Sequence, residues 1–582
     1  MLAQDDDAKV DDIIADKTSN RSPGQCCSLI YTSGTTGKPK GVMMSHDNLV
    51  YGAIALIEST QHVVNWKHQQ KLISYLPLSH VAAQFLDIIC VLVSQYSYDG
   101  ACDGAGCAYF ARPDALKGSI KKTLVDVQPT IFMGVPRVWE KLEEGIKAIG
   151  KTITGPKKNI SAWAKRKGFE RTNNKKLGGN GKVPTGWKIA NSFVFSTLKE
   201  KLGLNNCKLF VTAAAPIKQS TLDYFASLDI DITQAYGASE SGGTHTLGLP
   251  FHDKYGTIGV AILGNEIKIE HDPKRDKKGE GELLLRGRNI MMGYLFDEDK
   301  SKKTINSFGY YMSGDVGRKD KDNLYYITGR IKELIITAGG ENIAPVPIED
   351  YIKGELEAVS NVVLIGDQKK YLVVLITLRC KQNLDTQEFS NDLVGSALDV
   401  DQKCKTVDDA RKSETWKKYI ETGIKKYNSD PNACVSNAQK VQYFKILDKD
   451  FSIPGGELTG TMKLKRPIIT TKYKAEIDSL YDPSKLPKRQ PKKAAEPEAK
   501  TGDAKVEETA ETKADENKAD EPPKADEPPK ADEPAKPDEN KVDEPPKADE
   551  PAKADEPPKA DEAPTGDEPP KADEPPKTDE PT

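Results

Sequence analysis

Short apolar runs separated by polar turns recur along the first four-fifths of the chain. Four of them are of strand length and predict buried strands, at residues 28–31, 209–211, 283–285 and 334–337. Two further runs, 362–365 and 371–378, flank a polar Gly-Asp-Gln-Lys-Lys segment and predict a β-hairpin.

Helical spacing alternates with these strands. Trp416, Ile420, Ile424 and Tyr427 recur every three or four residues, which predicts a helix that packs this stripe into a core. The apolar run 85–93 also predicts a core helix, since it is far shorter than the roughly 20 residues that cross a membrane. Alternating strands and helices predict an α/β architecture.

A repetitive segment ends the chain. From about Lys488 the sequence is built from Lys, Ala, Asp, Glu and Pro, and Lys524 and Lys530 begin successive copies of Pro-rich repeats; no aromatic residue follows Tyr481. Such a segment has nothing to bury against its ordering entropy, and proline interrupts helices. We expect an extended, disordered tail that acts as a solvated spacer, with a partner-binding tether as the alternative.

Bulk composition narrows the function classes. The 582 residues exceed one compact domain, and the net charge of −4 argues against nucleic acid as a partner. The nine cysteines form no regular framework, and no signal-like segment opens the chain. We therefore expect a reducing, cytoplasmic location, with any contact with the endoplasmic reticulum or another intracellular membrane being peripheral.

The clearest chemical motif is Tyr31-Thr-Ser-Gly-Thr-Thr-Gly-Lys-Pro-Lys-Gly41, which follows an apolar strand. Small hydroxyl and glycine residues let backbone N–H groups close around phosphate oxygens, and the lysines add positive charge. A P-loop does not fit, because too few residues separate Gly34 from Gly37 and Pro39 replaces the required Ser or Thr. The predicted ATP-binding residues here are Thr32, Ser33, Gly34, Thr35, Thr36, Gly37 and Lys38.

This motif resembles the phosphate loop of the adenylate-forming superfamily, whose other motifs follow in the expected order. Four longer blocks resemble the bubblegum-type long-chain acyl-CoA synthetases: Tyr75-Leu-Pro-Leu-Ser-His-Val-Ala-Ala-Gln, Asp114-Ala-Leu-Lys-Gly-Ser, Gly134-Val-Pro-Arg-Val-Trp-Glu-Lys and Ser452-Ile-Pro-Gly-Gly-Glu-Leu. The resemblance implies ATP-dependent activation of a long-chain fatty acid through an acyl-adenylate to acyl-CoA, with ATP and CoA as co-substrates and Mg²⁺ as cofactor.

Several motifs acquire roles through the resemblance. His80 would line the carboxylate end of the acyl pocket, although a structural histidine is an even alternative. Glu240 would hold Mg²⁺, a cation that prefers carboxylate and phosphate oxygens. The remaining residues would bind the nucleotide: Ala214 and Ala215 by packing on adenine, Tyr236 by stacking on it, and Ser239 near the α-phosphate, with Gly237 in the same motif.

The later motifs lie beyond residue 310. Asp315 would accept hydrogen bonds from both ribose hydroxyls, and Arg330 would contact the ribose or the α-phosphate. Lys332 matches the hinge of the family, and Gly339, Gly340 and Glu341 match the loop that lines its CoA tunnel. Lys463 matches the catalytic lysine, whose ammonium would stabilise charge during displacement at the α-phosphate.

The resemblance also implies a domain plan: a polar segment 1–25, a partial adenylation domain 26–331, a small C-terminal domain 332–481 and the tail 482–582. Relatives carry a long segment before the phosphate loop, so we expect an incomplete first domain and exposed sheet edges. Two rivals remain. One is another adenylate-forming ligase, for an aryl or medium-chain acid; the other is a catalytically silent chain with an interaction tail.

Residues 152–182 are rich in lysine and arginine. Attraction to anionic lipid or to CoA phosphates is one reading, and a solvated charged helix and loop is the favoured one. The sequence leaves the protein partners, the oligomeric state and the preferred acyl length undetermined.

Overall fold

The computed structural model describes residues 7–32, 39–94, 106–115, 118–383, 386–459, 463–482 and 484. Contacts divide the chain into two units, Met1–Gln490 and Pro491–Thr582. All described residues belong to the first unit. Nearly all of the predicted tail 482–582 lies outside them, so its disorder stays a prediction.

The described strands are numbered in chain order. They are β1 Cys26–Thr32, β2 Lys40–Ser45, β3 Lys71–Ser74, β4 Cys107–Phe110, β5 Ile131–Gly134, β6 Leu209–Thr212, β7 Ile232–Tyr236, β8 Thr246–Leu247, β9 Val260–Ala261, β10 Glu266–Glu270, β11 Glu280–Arg286, β12 Gly293–Tyr294, β13 Tyr311–Lys319, β14 Tyr325–Arg330, β15 Ile335–Ile336, β16 Asn342–Ile343, β17 Val359–Ile365, β18 Leu372–Leu378, β19 Cys380–Gln382, β20 Phe389–Leu393 and β21 Val441–Ile446.

The described α-helices are numbered likewise. They are α1 Asp7–Ser19, α2 His46–Thr60, α3 Val81–Ala83, α4 Cys90–Ser94, α5 Ile120–Val127, α6 Pro136–Lys151, α7 Pro156–Asn174, α8 Trp187–Ala190, α9 Ser196–Leu202, α10 Gln219–Ser227, α11 Glu298–Thr304, α12 Pro345–Glu355, α13 Ala397–Val400, α14 Val407–Lys412, α15 Glu414–Ser429, α16 Arg466–Lys472 and α17 Lys474–Tyr481. A π-helical segment, Gln84–Ile89, joins α3 to α4, and a second one, Asn191–Phe195, joins α8 to α9.

A five-stranded sheet in the order β5-β6-β7-β8-β9 carries the N-terminal core. Strands β5, β6 and β7 are parallel, and β8 and β9 continue the sheet antiparallel. Because side chains alternate between faces, Phe132 and Phe210 enter one apolar cluster, while Ile131, Leu209 and Val211 enter another. The second cluster surrounds the cavity described below.

Two antiparallel sheets are formed by other strands of the N-terminal part. Strands β1, β2 and β12 form one, and β10, β11, β13 and β14 form another in that order. The second of these pairs Asp315 of β13 with Arg330 of β14. Strands β3 and β4 form a separate parallel pair.

The C-terminal part, residues 332–482, has its own sheet of β17, β18 and β21. Strand β18 is buried along its whole length, because one apolar cluster covers each of its faces. The hairpin β17–β18 confirms the predicted one. Helix α15 buries the predicted stripe of Trp416, Ile420, Ile424 and Tyr427.

Two strand predictions are wrong in part. Strand β1 exists, but Leu29 and Tyr31 are 43% and 60% exposed, and only Ile30 is buried. The strand stands at the edge of its sheet, and Leu29 and Tyr31, which share one of its faces, stay exposed. The run 334–337 forms only the two-residue β15, with Ile336 exposed, because it pairs just with the short β16.

Candidate active site

The strands on both sides of the phosphate motif are described, but its centre is not. Thr32 ends β1 and pairs with Lys40 of β2. The predicted residues Ser33, Gly34, Thr35, Thr36, Gly37 and Lys38 lie outside the described residues, so their role stays a prediction.

The best-defined feature of the site is a carboxylate bound from two sides. Asp315 is 5% exposed; Arg330 Nε donates to its Oδ1 at 2.6 Å, and the Tyr236 hydroxyl donates to its Oδ2 at 2.7 Å. Burial and the Asp315 charge raise the pKa of Tyr236 well above its usual value, so the hydroxyl remains a donor. Strand pairing and these bonds fix the position of the carboxylate.

Glu240 lies on a 3₁₀ turn, Ser239–Ser241, which follows β7 after two residues. Its Oε1 accepts a hydrogen bond from the Tyr294 hydroxyl at 2.8 Å, and its backbone oxygen accepts one from Met291 N at 2.9 Å. Both contacts come from the segment that leads into β12 or forms it. The turn is therefore tied to the sheet that carries the phosphate motif.

Positive charge gathers beside Glu240. The Lys40 ammonium lies 4.9 Å from the centre of the Tyr294 ring. Burial, followed by the neighbouring Lys300 and Lys332, lowers the pKa of Lys40, while Glu240 acts in the opposite direction. Three lysines close enough to repel one another favour an anion such as a polyphosphate.

Lys463 stands next to an antiparallel bridge between Leu458 and Leu464. Its backbone N–H donates to Thr459 Oγ1 at 3.0 Å, and Thr459 N donates to its carbonyl oxygen at 2.9 Å. Part of the Lys463 side chain is exposed, yet the surrounding protein removes water from its ammonium, and this desolvation lowers its pKa. Arg330 lowers that pKa further, against the opposing charges of Asp315 and Glu333.

His80 caps the start of α3, where its Nδ1 accepts from Ala82 N at 3.2 Å. This bond leaves the proton of the neutral ring on Nε2. Burial, and after it the Lys463 charge, lowers the pKa of His80, so the ring is neutral at physiological pH. The structure thus brings His80, Lys463 and the Asp315–Arg330 pair together from three distant parts of the sequence.

An apolar cavity of about 70 Å³ adjoins this group. Four of its lining residues are among the predicted site residues, namely His80, Ala214, Tyr236 and Gly237. Most of the others are apolar: Leu56, Trp66, Leu72, Val81, Ala82, Phe85, Leu86, Ile131, Met133, Leu209, Val211, Ala213, Ala235 and Leu247. The cavity suits an aliphatic group whose polar end lies at the motif residues.

Comparison with known proteins bears on this arrangement. The family model described as AMP-binding enzyme matches residues 2–295, just over half of the chain. The chain belongs to the AMP-binding enzyme family. A second model, the C-terminal domain of AMP-binding enzymes, matches residues 332–414.

Relatives within the AMP-binding enzymes are similar over most of this chain. Long-chain-fatty-acid–CoA ligase ACSBG2 of Xenopus laevis is 46% identical over 487 residues, 83% of this chain and 63% of the relative. Human long-chain-fatty-acid–CoA ligase ACSBG2 is 39% identical over 481 residues, 82% of this chain and 69% of that protein. The chain thus spans less than two thirds of its frog relative. These matches confirm the predicted resemblance to bubblegum-type ligases.

Solved structures of AMP-binding enzymes support the fold. The adenylation domain of a carboxylate reductase from Mycobacterium chelonae has a TM-score of 0.55 and 20% identity, over 79% of this chain and 60% of that one. The predicted α/β adenylate-forming fold, with a large N-terminal and a smaller C-terminal part, is confirmed.

The structure shows one conformation of the loop that we predict to line the CoA tunnel. Gly339 and Gly340 form a turn, with Gly340 at φ +81°, and Glu341 Oε1 accepts a hydrogen bond from Ser436 Oγ at 2.6 Å. Lys332 lies on the 3₁₀ turn Ile331–Glu333. Their roles at a tunnel and a hinge stay predictions, as does that of Ala215, which is absent from the cavity lining.

Sequence reasoning missed several residues of the site. Tyr294 holds Glu240, Glu333 acts on Lys463, and Trp66 and Phe85 line the cavity. Glu333 ends the motif that supplied Arg330 and Lys332 but had no role assigned to it, and the other three residues stand in no motif of recognisable spacing. Only the fold brings them to the site.

Among the described residues, no His, Cys, Asp and Glu side chains gather in a group of three or more that could hold a metal. Within the same residues, no helix is long and apolar enough to cross a membrane.

Proposed function

We propose that this chain activates long-chain fatty acids by adenylation and then transfers the acyl group to CoA. The supporting observation is that Lys463, Arg330 and Asp315 meet His80 beside the apolar cavity. A fatty acid that lies in the cavity would present its carboxylate to the group that binds ATP.

In the first step, a carboxylate oxygen of the fatty acid attacks the α-phosphorus of ATP, and the bond to pyrophosphate breaks. Lys463 and Arg330 stabilise the negative charge that develops at phosphorus. Asp315 accepts hydrogen bonds from the ribose, and the lysines beside Glu240 attract the phosphates.

A magnesium ion fits Glu240. One carboxylate oxygen of Glu240 accepts a hydrogen bond from the Tyr294 hydroxyl. A single carboxylate together with nucleotide phosphates is a common ligand set for Mg²⁺. The ion would neutralise phosphate charge; Glu240 would hold it, and Tyr294 would orient Glu240.

In the second step, the CoA sulfur attacks the carbonyl carbon of the acyl-adenylate. The bond to AMP breaks, and the thiol proton leaves to solvent. We infer that Gly339, Gly340 and Glu341 approach CoA after a rotation at Lys332, as in the family. Because long-chain fatty acids partition into bilayers, we also infer that the protein is cytoplasmic and acts at the surface of the endoplasmic reticulum or another intracellular membrane.

The test is fatty-acid-dependent exchange of labelled pyrophosphate into ATP by the purified chain. We expect exchange with a long-chain acid and its loss in Lys463→Ala, while Lys465→Ala on the same loop retains it. Exchange with aryl or medium-chain acids alone would favour the rival ligase. A folded preparation that binds ATP without exchange would contradict the proposal and favour a silent chain.

A further inference from the structure

One face of helix α6 carries a row of charges, Glu140, Glu144, Lys147 and Lys151, which we call the α6 ridge. The spacing of three or four residues places all four on the same side of the helix. Each of them pairs with a residue of the C-terminal part.

The four pairs run along the helix in order. Glu140 lies 3.8 Å from the Lys353 ammonium, and Glu144 pairs with Arg379. Lys147 lies 3.1 Å from Glu357, and Lys151 lies 2.7 Å from Asp399.

The order of the charges fixes one alignment. Along the ridge the signs are negative, negative, positive and positive, and the facing side chains carry the opposite sequence. A shift of the C-terminal part by two turns of the helix would set like charges opposite each other. Such patterning gives specificity of alignment even where each exposed pair contributes little.

This contact is connected to Lys463 through helix α12. Lys353 stands one turn after Glu349 on that helix, and Glu349 is 5% exposed. The guanidinium of Arg466 donates to both oxygens of Glu349, at 2.6 and 2.5 Å. Arg466 follows Lys463 by three residues, so the helix that meets the ridge also anchors the segment that carries Lys463.

The inner end of the ridge is the more buried one. The Glu140 side chain is only 9% exposed. Burial acts to raise its pKa, but Lys353, Lys218 and Arg137 outweigh burial and lower that pKa to about 2. Glu140 is therefore charged at every physiological pH.

We propose that the α6 ridge is a positioning device for the adenylation step, which aligns residues 332–482 so that Lys463 stands beside Arg330 and Asp315. The proposal rests on the proposed function. Glu144 on the ridge and Arg379 opposite it are positioning residues and touch no reacting atom.

The test combines charge reversal with two measurements. We expect Glu144→Arg, which sets an arginine against both Arg379 and the neighbouring Arg137, to lower kcat for pyrophosphate exchange about tenfold with little change in KM for ATP. Formation of acyl-CoA from added acyl-adenylate should stay near wild type, because Lys463 acts only in the first step. The double variant Glu144→Arg with Arg379→Glu should recover most of the exchange. Glu200→Arg, on the exposed face of α9, is the matched control.

The second measurement needs no turnover. A carbodiimide couples an ammonium directly to a paired carboxylate, so wild type should yield peptides joined through Lys147–Glu357 and Lys151–Asp399. Their yield should fall several-fold in Glu144→Arg and return in the double variant. A fall in cross-links with wild-type exchange would overturn the proposal, as would equal loss of both half-reactions without rescue. If wild type shows no exchange, the proposed function fails. Whatever the exchange result, unchanged cross-links in Glu144→Arg would overturn the proposed alignment by the ridge.

Discussion

Arg330 and Asp315 are neighbours across strands β13 and β14, and their side chains meet at 2.6 Å. The guanidinium thus holds the carboxylate that we assign to the ribose. The Tyr236 hydroxyl binds the second carboxylate oxygen. The three residues act as one unit, and removal of the Asp315 charge disturbs both partners.

We predict that Asp315→Asn raises KM for ATP by about tenfold or more. The amide is neutral, and only one of its two polar atoms accepts hydrogen bonds. Steady-state kinetics would measure KM for ATP and for CoA, and KM for CoA should change little. Tyr236→Phe, which removes only the hydroxyl, should have a smaller effect. An unchanged KM for ATP in Asp315→Asn would contradict the assignment to ribose.

We predict that Ala235→Leu shifts substrate preference toward shorter acids. The added carbons enter the cavity beside Tyr236, and overpacking costs about 1–3 kcal/mol of stability. Rates with saturated acids of graded length would measure the shift. Ala148→Leu adds the same atoms to an exposed position of α6 and should not alter the profile. The same length profile in both variants would mean that the acyl chain lies elsewhere.

We predict that Lys176→Ala destabilises the protein by about 3–5 kcal/mol, because it leaves the largely buried carboxylates of Asp231 and Asp253 without their positive partner. The Lys176 ammonium lies 2.8 Å from Asp231 and 2.9 Å from Asp253, and its side chain is 7% exposed. Lys182→Ala, an exposed change in the same basic segment, should be nearly neutral. Urea unfolding would compare the two. A loss no larger than that of Lys182→Ala would show that the pairs contribute little.

We predict that His245 makes the protein less stable in acid. His245 is fully buried, and burial lowers its pKa to about 4, although a bond to the Glu266 carbonyl acts the other way. Because this pKa lies below the unfolded value, the stability contribution is complete above about pH 6.5. It falls as the pH drops toward 4, by roughly 3 kcal/mol in all.

The measurement is the urea midpoint as a function of pH for wild type and His245→Gln. The variant should be less stable near neutral pH, but it should lose less stability on acidification. His62→Gln, at an exposed position, should follow wild type. If the urea midpoints of His245→Gln and wild type changed with pH in parallel, the loss of stability in acid would not come from His245.

The sequence by itself determined the elements whose pattern is local. The two apolar runs on either side of a polar turn predicted the β17–β18 hairpin, and the helical spacing of its apolar residues predicted α15, because both signals lie within short stretches of sequence. Ordered motifs named Asp315, Arg330 and Lys463 through family resemblance. The exposure of β1 and the shortness of β15 could not be read in this way, because they depend on which neighbours pack against each strand.

Only the tertiary structure decided which of these residues meet. Lys463 follows Asp315 by well over a hundred residues, and the fold of the C-terminal part brings its charge to the site. Within the basic segment, Lys176 is not the solvated residue that we expected: it is buried because Asp231 and Asp253, both distant in sequence, neutralise it. Contacts of this kind come from long-range packing, which a local pattern does not encode.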